Sequence, residues 1–210
     1  YWLVAGDGGI FTYGDARFYG STGSMRLNKP VIGMAPTSSG SGYWLFASDG
    51  GIFTFGGAGF YGSTGSMHLN APIVGMASTP DGGGYWLVAS DGGIFTFGDA
   101  HFYGSTGSMR LSKPVVGMVP SSDGKGYFLV AGDGGIFTFG DARFSGSLPG
   151  RGITDTITGV APTADGGGYL EVSSTGTVYS FGDAPYFGDV ASSDPGYPGH
   201  TLGVFAHAGA

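Results

Sequence analysis

The stretch YWLVASDGGIFTFGDAHFYGSTGSM, Tyr85 to Met109, decides the fold of this chain. It is built of short runs rich in β-branched and aromatic residues, YWLVAS, IFTF and HFY, each bounded by Gly and Asp. Asp91-Gly92 between the first two runs is a hairpin signal, because a turn that matches strand twist needs positive φ, which Gly and Asp tolerate. With the run IVGMAST at Ile73 to Thr79, this predicts four strands in a 42-residue unit. No segment offers ten residues of helical periodicity without a Gly, so helix content should be near zero.

The unit recurs along the whole chain. YWLV at Tyr1 returns as YWLF at Tyr43, YWLV at Tyr85, YFLV at Tyr127 and YLEV at Tyr169, always 42 residues on. Repeats two and three are identical at 30 of 42 positions, closer than fold maintenance demands, which points to recent duplication. Repeat four departs after Phe144, where SGSLPGRGITDTITG stands in place of the YGSTGSMRLNKPVIG of repeat one, and repeat five departs more widely.

Both faces of the strands are apolar. Tyr85, Leu87 and Ala89 share one face and Trp86 and Val88 the other, while Phe95 and Phe97 oppose Ile94 and Thr96. Such a sheet must be sandwiched between neighbours, as a propeller blade is, and a 42-residue unit suits a blade better than a solenoid coil. The expectation is an all-β, five-bladed β-propeller with four antiparallel strands per blade, one domain over residues 1–210. If IVGMAST is the innermost strand, the chain starts on a second strand, Tyr1 to Ala5. It ends on an innermost one, LGVFAH at Leu202 to His207, which would complete the first blade and close the ring.

Composition agrees. Gly (46) and Pro (11) would signal low complexity in a patternless chain, but 15% aromatic and only 11% charged residues give ample side chain to bury. The glycines mark turns. The absence of Cys rules out a disulfide scaffold, a thiolate metal site and a cysteine nucleophile. A net charge of −7 with eight Lys and Arg spread along the chain argues against nucleic acid, which needs clustered positive charge. No apolar run approaches the ~18 residues of a membrane span. There is no signal peptide and the chain opens on Tyr, which reads as a mature or excised domain.

The residues Tyr85 to Met109 resemble the tandem blade repeats of secreted and cell-surface proteins of actinobacteria, often found beside cell-wall or carbohydrate-active domains. The resemblance covers essentially the whole chain and weakens after Gly146. In ring size the chain is also similar to the five-bladed tachylectin-2-type lectins, whose contact residues have no match here. The resemblance implies an extracellular or cell-surface binding module for glycans or cell-envelope polymers.

Candidate sites follow from what the repeats hold constant. Asp7, Asp49, Asp91 and Asp133 of the DGG turns sit where hairpin chemistry wants them, and Thr175-Gly176 makes the same turn without one. Asp15, Asp99, Asp141 and Asp183 read alike, Gly57 standing in their place in repeat two. No spacing suits a calcium loop, so no metal or cofactor is expected. Trp2, Trp44 and Trp86 lie in the apolar pattern, where Phe128 and Leu170 replace them, and read as packing between blades. The series Arg17, Gly59, His101, Arg143 and Pro185, and the series Arg26, His68 and Arg110, vary freely as solvated positions do.

A site built of equivalent groups should repeat its polar residues, and the loop GSTGSM does so. Its hydroxyls, Ser21, Thr22, Ser24, Ser63, Thr64, Ser66, Ser105, Thr106 and Ser108, can offer donors and acceptors to sugar hydroxyls, multivalently, at blade junctions. A plain flexible connection is the competing reading. The lone glutamate, Glu171, replaces the Leu of the other repeats, and glycoside hydrolysis needs two carboxylates, so an enzyme with a single site near Glu171 is a third reading. His68, His101, His200 and His207 lack ligand spacing and read as exposed or terminal. The reading is therefore a non-catalytic extracellular module for a glycan or cell-wall polymer. The alternative is a protein-interaction or spacer domain of a larger surface protein.

Overall fold

A computed structural model describes residues 1–194 and 199. The chain divides into two compact units, residues Tyr1–Phe102 and those from Tyr103 onward. The first unit holds three antiparallel sheets: β1 (Trp2–Val4) with β2 (Ile10–Thr12), then β3 (Val31–Pro36), β4 (Gly42–Ala47) and β5 (Ile52–Gly56), then β6 (Ile73–Ser78), β7 (Gly84–Ala89) and β8 (Ile94–Gly98). The second unit holds two: β9 (Val115–Pro120), β10 (Gly126–Ala131) and β11 (Ile136–Gly140), then β12 (Ile157–Pro162), β13 (Gly168–Ser173) and β14 (Val178–Gly182). Each three-stranded sheet is a meander with the YWLV-type strand in the middle. Helix among the described residues is confined to a 3₁₀ turn at Pro149–Arg151 and one turn, α1 (Val190–Ser193).

The two-faced apolar pattern does what it predicts inside each unit. Tyr43 and Leu45 pack back onto Trp2, Val4 and Ile10 of the preceding sheet, while Trp44 and Phe46 pack forward onto Ile73, Tyr85 and Leu87 of the following one. Phe128 and Val130 do the same toward Ile157, Tyr169 and Phe181. The middle strands β4, β7 and β10 are buried along their whole length. In the first sheet the backward face is open, with Tyr1 70% and Leu3 51% exposed. The expected closing strand, Leu202 to His207, lies outside the described residues.

One expectation needs correction. The fourth run of the unit, HFY at His101 to Tyr103 and its equivalents, forms no strand, so the full sheets have three strands and not four. Its backbone groups bond to side chains instead of a ladder. The indole N–H of Trp2 donates to Arg17 O at 2.8 Å, that of Trp44 to Gly59 O at 2.7 Å, and that of Trp86 to His101 O at 2.8 Å. Two residues further on, the backbone N–H of Tyr19, Tyr61, Tyr103 and Ser145 donates to the hydroxyl of Tyr43, Tyr85, Tyr127 and Tyr169 respectively, at 3.1–3.2 Å. The run is thus a strap.

The same hydroxyls complete a clasp. Tyr43 donates to Gly20 O at 2.6 Å, Tyr85 to Gly62 O at 2.5 Å, Tyr127 to Gly104 O at 2.6 Å, and Tyr169 to Gly146 O. Each glycine here has φ between 131° and 144°, and a Cβ on Gly20 would collide with the ring of Phe55, so only Gly lets the strap lie this close to the next sheet. Burial raises the Tyr85, Tyr127 and Tyr169 hydroxyls above the usual phenol value, so they stay protonated donors.

Candidate functional site

The GSTGSM loops are split by the structure into structural and exposed halves. Thr22, Thr64 and Thr106 are fully buried. The Thr22 hydroxyl donates to Asp7 O and the Thr64 hydroxyl to Asp49 O, both at 3.0 Å, while their backbone N–H groups donate to Gly8 O and Gly50 O at 3.2 Å. These threonines therefore pin the loop beneath the DGG turn and face no solvent. Gly8, with φ +76°, serves that contact, since a Cβ there would collide with the Thr22 hydroxyl. Ser24, Ser66 and Ser108 are exposed and Ser21, Ser63 and Ser105 half-buried.

Shallow cavities do form at this end of the sheets, but with a different lining. One of about 260 Å³ is lined by Gly6, Asp7, Met25, Leu27, Asn28, Lys29 and Pro30. Another, of about 430 Å³, uses the equivalent positions one repeat on, among them Asp49, Met67, Leu69, Asn70 and Pro72, together with His68. None of the loop hydroxyls lines either. The wall carboxylates are turn-formers, as Asp7 accepts from Gly9 N–H at 2.8 Å and Asp49 from Gly51 N–H at 3.0 Å.

A larger cavity, about 520 Å³, lies between the β9–β11 and β12–β14 sheets of the second unit. Phe128 and Tyr169 line it, with Arg143 and the carboxylates of Asp123, Asp141, Asp165 and Asp183 around them. It sits where Phe128 replaces the tryptophan of the earlier repeats, so no indole reaches toward Arg143 O as Trp44 reaches Gly59 O. Three of the carboxylates already have work to do. Asp183 accepts from the Thr163 hydroxyl, Asp165 from Gly167 N–H, and Asp123 from the Lys125 backbone and ammonium, which hold its carboxyl down at about 2. Among the described residues no group of three His, Asp or Glu side chains could hold a metal ion.

The sequence reading missed the exposed aromatics. Phe18, Phe60, Phe102 and Phe144, one position after the freely varying Arg17, Gly59, His101 and Arg143, are 59, 61, 59 and 59% exposed. In the pattern they look like core residues of a fourth strand. The strap turns them outward, while the next residue, Tyr19, Tyr61, Tyr103 or Ser145, is tied by its backbone N–H to a tyrosine hydroxyl. At Arg17, Gly59 and His101 of the varying series before them, it is the backbone carbonyl that the indole bonds.

Glu171, at the centre of β13, is fully buried, and neither carboxyl oxygen has a hydrogen-bond partner. Asp133 of the DGG turn is the carboxylate that acts on it, opposing its ionisation. The segment that sets repeat four apart lies beside it. Arg151 of the 3₁₀ turn donates to Ser180 O at 2.9 Å with its guanidinium 4.0 Å above the Phe181 ring, and the Tyr179 hydroxyl donates to Asp155 at 2.8 Å. Burial and that hydrogen bond push the Tyr179 hydroxyl up to about 12. His68 and His101 are exposed, as expected, while His200 and His207 lie outside the described residues.

No protein-family model and no curated protein matches the sequence. Among solved structures 467 chains resemble it. One is the β-propeller domain of Cps50 (Swd1) from Myceliophteria thermophila, with a TM-score of 0.51 at 12% identity over 75% of this chain. The chain matches 57% of that structure's length. At this identity the likeness concerns the fold alone: the chain is an all-β protein with the β-propeller fold. A fold this widely shared hosts many functions, so function rests on the surface described above.

Proposed function

We propose that this chain is a non-catalytic binding module that docks a protein partner through the solvent-facing side of its straps. The observation that carries the reading is the series Phe18, Phe60, Phe102 and Phe144, the same ring left in solvent in four repeats. Single exposed apolar side chains are ordinary, but aromatic residues are the usual anchors of protein interfaces. Phe144 keeps its exposure in the repeat whose next residues diverge, so the feature does not simply follow loop identity. The test replaces all four with Ser and captures partners by cross-linking from the native cell surface. Loss of a partner held by the parent chain, at unchanged Tm, supports the reading; undiminished capture sinks it.

A second reading, binding of a glycan or cell-envelope polymer, is favoured by the cavities at Met25 and Met67, which recur at equivalent positions of successive repeats. Glycan-array signal abolished by Asp49→Ala with Met67→Ala would support it, and silence of the parent chain on such arrays would remove it. In both readings residues 1–210 form one domain, a five-bladed ring closed by pairing of Leu202 to His207 with the open first sheet, in an extracellular or cell-surface setting.

A further inference from the structure

Repeat four exchanges polarity across one contact. In repeats one and two a threonine of the loop, Thr22 or Thr64, supplies a hydroxyl to the carbonyl of the DGG aspartate, and the next sheet presents a leucine, Leu45 or Leu87. In repeat four the loop residue is Leu148, which has no donor for Asp133 O, and the next sheet presents Glu171. The two side chains converge on the same turn: a Cβ on Gly134 would lie 2.6 Å from Leu148 and 2.7 Å from a Glu171 carboxyl oxygen. Leu148, Ile157 and Val130 belong to the apolar cluster that fills this space, with Ile136 and Ile153 at its edge.

A carboxyl group enclosed this way has no hydrogen-bond partner among the described residues. The charged groups that act on it are Asp133 of the turn, which opposes ionisation, and Arg151 of the 3₁₀ turn, which favours it but is engaged by Ser180 O and the Phe181 ring. Tyr169 and Tyr179 share its face of the sheet, the former clasped to Gly146 O and the latter bonded to Asp155. Burial above all holds the Glu171 carboxyl up at about 8.

We propose that the contact between the β9–β11 and β12–β14 sheets is a proton-operated latch: neutral Glu171 keeps it shut, and loss of its proton to alkaline solvent opens it. The sheets it joins are those that enclose the 520 Å³ cavity, and Tyr169 belongs to both the wall of that cavity and the face carrying Glu171.

The sign follows from linkage. The unfolded chain ionises its glutamate at the ordinary value while the folded chain stays neutral, so stability is full below that value and falls as pH rises toward about 8. Relative to Glu171→Leu, which restores the repeat's own residue, the folding constant of the parent chain should fall about a thousandfold between pH 4.5 and 8 in urea titrations. Locally, exchange at the amides of Leu148 and Ile157, bonded to Gly134 O and Gly132 O, should rise more steeply with pH than intrinsic chemistry predicts as pH climbs toward about 8, in the parent only. Parallel pH profiles for the two proteins, or a Glu171 carboxyl carbon titrating at the ordinary glutamate value, would overturn the latch. Should the leucine variant fail to fold, Glu171→Gln, which cannot ionise, must show the same flat profile.

Discussion

Removing one hydroxyl should expose how much each sheet-to-sheet joint depends on its clasp. In Tyr85→Phe the ring and its packing against Tyr61 and Phe97 stay, while two hydrogen bonds go: the donation to Gly62 O at 2.5 Å and the acceptance from Tyr61 N–H at 3.2 Å. The hydroxyl belongs to a fully buried residue, and its loss leaves one carbonyl and one amide without partners. Each such group costs about 1–3 kcal/mol when water cannot reach it. Gly62 is only half-buried and Tyr61 more open, so water recovers part, and the sum should settle near 2–3 kcal/mol. For a chain of this length that lowers Tm by roughly 5–10 °C. Urea and thermal unfolding of Tyr85→Phe beside Tyr61→Phe make the measurement. The second change removes an exposed donation to Gly82 O at 2.8 Å and should cost less than about 1 kcal/mol. A Tyr85→Phe protein within about 0.5 kcal/mol of the parent would refute the clasp as a structural bond.

Thr64→Val should destabilise by about 1–2 kcal/mol, because Asp49 O loses its donor, whereas Ser66→Ala on the exposed side of the same loop should leave unfolding unchanged. Phe128→Trp should add about 1 kcal/mol by bringing an indole N–H to Arg143 O and should shrink the 520 Å³ cavity; a destabilised variant with the cavity intact contradicts this account of its origin. Deleting Leu202 to Ala210 should abolish cooperative unfolding of the whole chain, and a loss confined to the first sheet would count against ring closure.

The strands were legible because their burial is written in residue type. Tyr85, Leu87, Trp86 and Val88 leave no polar face, and the structure buries that strand along its whole length, with Tyr85 and Leu87 packed on the preceding sheet. What hydrophobicity does not encode is the choice of hydrogen-bond partner. HFY has the composition of a strand, yet its backbone is bonded by the side chains of Trp86 and Tyr127 and forms no ladder. Thr64 and Ser66 are chemically alike in sequence, and only the position of Asp49 O tells which is buried. Glu171 was conspicuous as a substitution, but its meaning depended on Leu148, 23 residues away and unremarkable by itself.

Because the tryptophans grip the strap by its carbonyl, the bond at positions 17, 59 and 101 is made whichever residue stands there. Arg, Gly and His already occupy these three places with the same indole bond length to within 0.1 Å. Each is followed by a phenylalanine in solvent. Evolution or an engineer thus has a bank of display positions at fixed 42-residue intervals, where the residue can change and the indole bond to the strap is kept.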